Sequence, residues 1–281
     1  MRKLLLIGIV ILIILTGESL STPAWALNAE QFRPAFDNQG YINLLSAKPL
    51  DKGTLSLGLH FSYAKSPLEI SSAAGRPIDS LVDRQLETTF NAALGVFKRL
   101  SMGVSAPYFP MIHLEPIGSS TASNVRSFGD ILLAAKLGLW SHLALSPFVT
   151  FPLGDTAQYT GDTSYTEGLI GIYDMNFWNN KIALNLGARF RKTESLLNVS
   201  VSHEILYGLA FSRPIIKSWN LHIVTEVSGV TPWDGTGWRS NRSPFEGHFA
   251  LRKYSRNERF ALTAGSGIAL SPGYGTPNPD A

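Results

Sequence analysis

From Gly53 onward the chain repeats one pattern: runs of about ten residues in which every second residue is apolar, separated by turn formers. Alternation with period two marks strands that have one apolar and one polar face, because successive side chains leave a pleated strand on opposite sides. In 181–191, Ile182, Leu184, Leu186, Ala188 and Phe190 share one face, and Ala183, Asn185, Gly187 and Arg189 the other. Leu55, Leu57, Leu59, Phe61 and Tyr63 oppose Ser56, Gly58, His60 and Ser62; Ile131, Leu133, Ala135, Leu137 and Leu139 oppose Asp130, Ala134, Lys136 and Gly138. Weaker versions run through Val201, His203, Ile205, Tyr207, Leu209 and Phe211, and through Leu221, Ile223, Thr225 and Val227. In the segment starting near Glu167 both faces carry apolar residues, and which of them points inward stays open.

Eleven such segments are counted, near 53–64, 85–97, 100–109, 128–140, 143–151, 167–177, 181–191, 201–212, 220–229, 245–253 and 259–268. The links between them alternate, long at 65–84, 110–127, 152–166, 192–200 and 230–244, short at 98–99, 141–142, 178–180, 213–219 and 254–258. A soluble periplasmic sandwich, the outside alternative, has no reason to sort its loops this way. A transmembrane barrel has short periplasmic turns at one rim and long extracellular loops at the other. The expected fold is all-β, an antiparallel transmembrane barrel of about 12 strands. Tyr63, Tyr108, Trp140, Phe151, Phe177, Trp178, Tyr207 and Trp219 fall near segment ends, where interfacial girdles place amphipathic rings. The general preference of aromatics for strands explains them equally well.

Eleven is an odd number, and bacterial single-chain barrels close with an even one. Residues 273–281 read as the start of a further extracellular loop, so the expectation is that the chain is truncated or that 28–50 supplies the closing strand.

Ahead of the repeats, Leu4 to Leu15 form the one continuous apolar run, preceded by Arg2 and Lys3 and followed by Ala24-Trp25-Ala26, the layout of a secretory signal peptide over 1–26. Residues 27–52 are then expected as a periplasmic N-terminal segment and 53–281 as the barrel. Removing Arg2, Lys3 and Glu18, two bases and one acid, takes the formal charge from +3 to +2, and the remaining bases form no stripe, which argues against nucleic acid. Charged residues are only 16% against 44% hydrophobic, low for a soluble domain of this length. Without cysteine an exported chain has no disulfide framework and must rely on packing or sheet closure.

Some local motifs look like those of a known family. Asn28-Ala29-Glu30-Gln31-Phe32-Arg33-Pro34, Asp37-Asn38-Gln39-Gly40-Tyr41 and Ser46-Ala47-Lys48-Pro49-Leu50 resemble the N-terminal region of OmpA-family barrels. So do Phe128-Gly129-Asp130, the run Ser146 to Asp155, Ala183 to Gly187, Leu262 to Gly265 and Pro272 to Pro277. The Gly-Asp and Pro-Leu-Gly-Asp motifs are also similar to outer-membrane transporters of the MetA-pathway of phenol degradation type. The resemblance implies an outer-membrane location, lipid as the surrounding partner, barrel-assembly machinery for insertion, and no catalytic motif or cofactor. Peptidoglycan binding in that family resides in a following domain that this sequence does not contain, so peptidoglycan is not expected as a partner.

Ten inward-facing candidates are expected to line the lumen: His60, Glu87, Asp130, Lys136, Arg189, Glu204, His222, Glu226, Glu246 and Arg252. Mixed charges of this kind tune the selectivity of a water-filled pore for small solutes, or pair with one another across a narrow lumen. The function expected is a porin-like passive channel or transporter. The alternatives are an OmpA-type structural or surface-interaction barrel with a plugged lumen, or an outer-membrane lipid-modifying enzyme. The enzyme would use His60, His222 or His248, but no spacing supplies a nucleophile, base and orienting group, so no catalytic residue is expected. His203-Glu204 lacks the second histidine of a zinc-protease motif, so no metal site is expected. The link 154–168, with Asp155 and Asp162, lacks calcium-loop spacing and reads as a solvated loop. Trp233, Trp238 and Arg239, in an outer link, are candidates for contact with sugars or a partner.

Overall fold

The computed structural model describes residues 33–71, 77–115, 122–196, 199–235, 238 and 243–271. Alternating segments become strands β1 (Leu55–Ser71), β2 (Pro77–Phe97), β3 (Leu100–Leu114), β4 (Ser123–Phe128), β5 (Ile131–Trp140), β6 (Leu143–Phe151) and β7 (Thr166–Phe177). The second half adds β8 (Asn180–Phe190), β9 (Glu194–Leu196), β10 (Val199–Val201), β11 (Glu204–Ile216), β12 (Leu221–Pro232), β13 (Phe245–Tyr254) and β14 (Ala261–Ser271). All but β9 and β10 join one antiparallel sheet, ordered β1-β2-β3-β5-β6-β7-β8-β11-β12-β13-β14 and curled into a barrel wall, with β4 also on β3. Because β4 and β5 pair with the same neighbour, they are one stave interrupted at Gly129-Asp130. Among the described residues the wall therefore has eleven staves, the eleven segments of the repeat. Among the described residues no helix is long and apolar enough to cross a membrane.

The alternation translates into an inverted distribution of polarity. Leu57, Leu59, Phe61, Leu184 and Leu186 face outward and are exposed, whereas Gln85, Glu87, Lys136, Asn185, Arg189, Glu204 and Glu226 face inward and are buried. Such a surface is suited to an apolar surrounding medium. Two belts of exposed rings frame it. Phe97, Trp140, Phe177, Trp178, Trp219 and Phe260 lie at the short-turn rim, and Tyr63, Phe128, Tyr165, Trp233 and Trp238 lie toward the long-link rim. The short turns are tight enough to hold Trp178, Asn220 and Glu258 at left-handed φ of 52°, 51° and 56°.

Three of the long links carry strand where the sequence led to loops, and each adds to the mouth of the barrel. The 65–84 link is mostly strand. After Lys65 pairs with Arg84, the next pair is Leu68 with Val82, a bulge at which Ser66 takes a φ of 47°. A bulge bends its strand, and beyond it Leu68, Leu81 and Val82 pack on Phe109, Ile112 and Val201. Within 110–127, β3 continues to Leu114 and β4 returns along it. The link 192–200 folds into the β9–β10 hairpin, which delivers Val201 to the same cluster.

The two ends of the sheet, β1 and β14, both run from the short-turn rim to the long-link rim. Among the described residues no ladder joins them. Direct pairing would be parallel, and antiparallel closure takes one more strand running back. Residues 33–50 are not that strand, contrary to one expectation: they contain no strand at all. Residues 28–32 lie outside the described residues.

Candidate functional site

Residues 33–50 wind through the half of the lumen nearer the short turns. Space for them comes from small inward side chains at one level of the wall: Ala93, Ala134, Ala144, Ala183, Ala210 and Ala250 are all buried against this segment. Phe36, Leu45 and Leu50 pack with the first three and with Ile172, while Tyr41 and Leu44 pack with the others and with Val224. Close approach explains Gly103 on β3, where any Cβ would stand 2.3 Å from the Phe36 ring. The same packing resolves the ambiguous segment near Glu167. Ile170 and Ile172 of β7 are the inward residues, apolar because they meet the segment, and Leu169 and Tyr173 face out.

Polar side chains of the wall then bind the backbone of this plug. Glu226 accepts from three successive amides, Ile42 at 3.0 Å, Asn43 at 2.7 Å and Leu44 at 3.4 Å. Asn185 both accepts from Leu45 N–H and donates to its carbonyl. Asp174 takes the Ser46 hydroxyl at 2.6 Å and the Ala47 amide at 2.8 Å. Arg252 donates to the carbonyls of Gly40 and Tyr41, and Asn91 to that of Ala35. Lys136 forms an ion pair of 2.7 Å with Asp37, with both side chains wholly buried, and donates to the Lys48 carbonyl. On the opposite side Asn38 bonds to Ser56 and to the Leu57 carbonyl of β1. The plug thus ties β1 to β13 across the unpaired ends of the sheet.

A second polar cluster fills the mouth. The break at Gly129 turns Asp130 inward, where its two carboxylate oxygens accept from Gly154 N–H at 2.9 Å and Asp162 N–H at 2.8 Å. A Cβ at Gly129 would meet Pro107 Cγ at 2.7 Å and Phe109 Cε2 at 2.8 Å, so this break requires glycine. Thr160 donates to the Phe128 carbonyl. Arg191 spans Asp162 at 3.3 Å and Glu204 at 2.6 Å, and Arg189 also binds Glu204 at 2.6 Å. Glu194 accepts from the Thr163 amide and hydroxyl. The loop 154–162, expected to be solvated, is folded into the mouth with Thr160 and Asp162 buried, because these partners are there to receive it. Its two aspartates have protein partners: Asp155 accepts from the Ala157 amide at the start of a 3₁₀ turn, and Asp162 pairs with Arg191. Burial pushes the Asp130 carboxyl up to about 6, outweighing the two amide bonds that favour its anion. Burial, then the charge of Asp162, also raises Glu194.

All ten lumen candidates sit on inward positions of the wall, and eight of them fall into three groups. Lys136, Glu226 and Arg252 hold the plug; Asp130, Arg189 and Glu204 hold the mouth; Glu87 and Glu246 line a cavity of about 210 Å³ between the two. His60 is half-buried on β1, and His222 meets the Tyr254 ring edge-on at 5.1 Å. His248 stands 3.8 Å from Glu226 and 3.5 Å from Glu246. Asp174, Asn185 and Arg191 were missed. The first two occupy inward positions and could have been found by parity alone; Asp37, Arg33, Asp162 and Glu194 lie outside the periodic segments and had no such signal. Trp233 and Trp238 are about half exposed, Trp233 beside Phe190 at 5.9 Å and Trp238 beside Tyr207 and Phe245. Arg239 lies outside the described residues. Compared with models of known protein families and with curated proteins, the chain matches none.

Proposed function

We propose that this chain is an outer-membrane β-barrel, exported by its signal peptide, with the short turns in the periplasm and the long links outside. It acts as a non-catalytic transporter for small solutes, and residues 33–50 close its lumen at rest. The carrying observation is how the plug is held: its backbone is bound by side chains of the wall rather than by ladder pairing. When such a plug leaves, Glu226, Asp174, Asn185, Lys136 and Arg252 face a wet lumen in which water replaces the lost partners. The resemblance to OmpA-type and MetA-pathway-type barrels belongs to the same reading, and two of its motifs share one task here, since Phe128-Gly129-Asp130 latches the loop that begins at Gly154-Asp155.

Planar-bilayer conductance of the refolded protein tests this, with a heat-shift gel to report folding. The wild type is expected to be almost silent. Glu226→Ala combined with Asp174→Ala, which cuts the tethers, and Ala210→Leu, which crowds the plug, are each expected to open it. Variants that fold and stay silent overturn the transporter reading and leave the structural barrel with a permanently filled lumen.

A further inference from the structure

The geometry points to the cavity between plug and mouth as a binding chamber for a small amine with an apolar body. Its floor is formed by the plug, including Phe36, and its wall includes Phe109, Leu132, Phe148 and Ile170. At about 210 Å³ it exceeds the roughly 150 Å³ that holds benzene and falls below the roughly 300 Å³ at which pockets for larger ligands begin. A single ring with a two- or three-carbon tail is the size that fits.

The head group follows from Glu246. Its neighbours in the chamber have their carboxylates engaged, Glu87 by the Thr89 hydroxyl and Asp130 by two amides. Glu246 is only 6% exposed; its Oε2 lies 3.5 Å from His248 Nε2, and its Oε1 has no hydrogen-bond partner among the described residues. A buried carboxylate oxygen without a hydrogen-bond partner is costly unless something donates to it. An ammonium supplies both the donor and the opposite charge. Two guanidinium groups also line the chamber, but they are engaged elsewhere, Arg33 by the Thr150 hydroxyl and Arg189 by Glu204, so a carboxylate head placed beside Glu246 meets a like charge.

The inference rests on the plugged-barrel reading for its floor, and not on any movement of the plug. Equilibrium dialysis of the refolded full chain in detergent, against empty micelles, would compare 2-phenylethylamine, 2-phenylethanol and phenylacetate. The expected result is saturable one-to-one binding of the amine, at least tenfold tighter than the alcohol, with no saturable binding of the acid. Glu246→Gln should weaken the amine at least tenfold and leave the alcohol unchanged. Ser228→Phe places a ring in the chamber next to Glu246, its register partner, and should abolish binding of both. Equal affinity for all three probes, or amine binding indifferent to both substitutions, overturns the proposal; should Glu246→Gln fail the heat-shift control, the wild-type selectivity and Ser228→Phe decide. If the tether variants conduct but the wild type binds no amine, the chamber falls and the transporter stands. If amine binding holds while no plug variant conducts, the reverse is true.

Discussion

At Lys136 an ammonium and a carboxylate meet 2.7 Å apart with neither reaching solvent. Removing one member of such a pair strands the other, at a cost of about 3–5 kcal/mol, whereas replacing both by apolar residues of similar size is often neutral. Asp37→Leu alone and Lys136→Met alone are therefore expected to lower the urea midpoint of the refolded barrel clearly, and the double variant to recover most of the loss. Strict additivity in this cycle would show that the two groups do not interact in the folded protein. Glu226 belongs to a different class. It binds three amides of the plug, and under the proposed function water would take over its bonds once the plug left, so its loss should act on plug position more than on the wall.

Among the elements, the loop 154–162 carries the clearest dependence on conditions. Asp130, at the break before β5, has its carboxyl pushed up to about 6, and Glu194 of β9 is raised in the same direction. A group whose acidity is weakened on burial binds its proton more tightly in the closed state, so closure is favoured at low pH. That advantage disappears as pH rises from the ordinary carboxylate range, about 4, through about 6 for Asp130. Amide hydrogen exchange across 154–162 should be slower at pH 5 than at pH 7.5 after correction for intrinsic rates, and Asp130→Asn should flatten most of the difference. Identical protection at both pH values would contradict this. The elements also mark what the sequence made legible. Parity located every stave and the inward charges on most of them, Asp174 on the ambiguous β7 excepted, because one residue of slip would turn Leu184 and Leu186 into the lumen. It could not locate the plug, since 33–50 has no period. The trace of the plug was Ile170 and Ile172, two apolar residues on the face that should have been polar.

For the whole molecule, the exposed rings of Trp140, Trp178 and Trp219 at the short-turn rim predict how the barrel sits in lipid. Refolded into vesicles of brominated phosphatidylcholine, the protein should lose a large part of its tryptophan fluorescence, more with bromines near the head groups than at the chain ends. Quenching no greater than in unbrominated vesicles would argue against a lipid-facing belt. The loop sorting and the inverted polarity were readable as a pattern because they recur on every stave alike, as the proposed lipid surrounding would require. The cavity and the cross-seam ties were not, since they depend on pairs such as Asp37 with Lys136 or Tyr41 with Arg252, each separated by about a hundred residues or more.

The plug contacts strands from β1 to β13, and it precedes all of them in the chain. Its bonds to β1 and β2 need only the first part of the sheet, whereas those to β12 and β13 need nearly all of it, so the plug is fully seated only once the wall has almost wrapped around it. Loop closure of this kind is slow, and the bond from Arg252 to Tyr41 can form only when the wrapping is nearly complete.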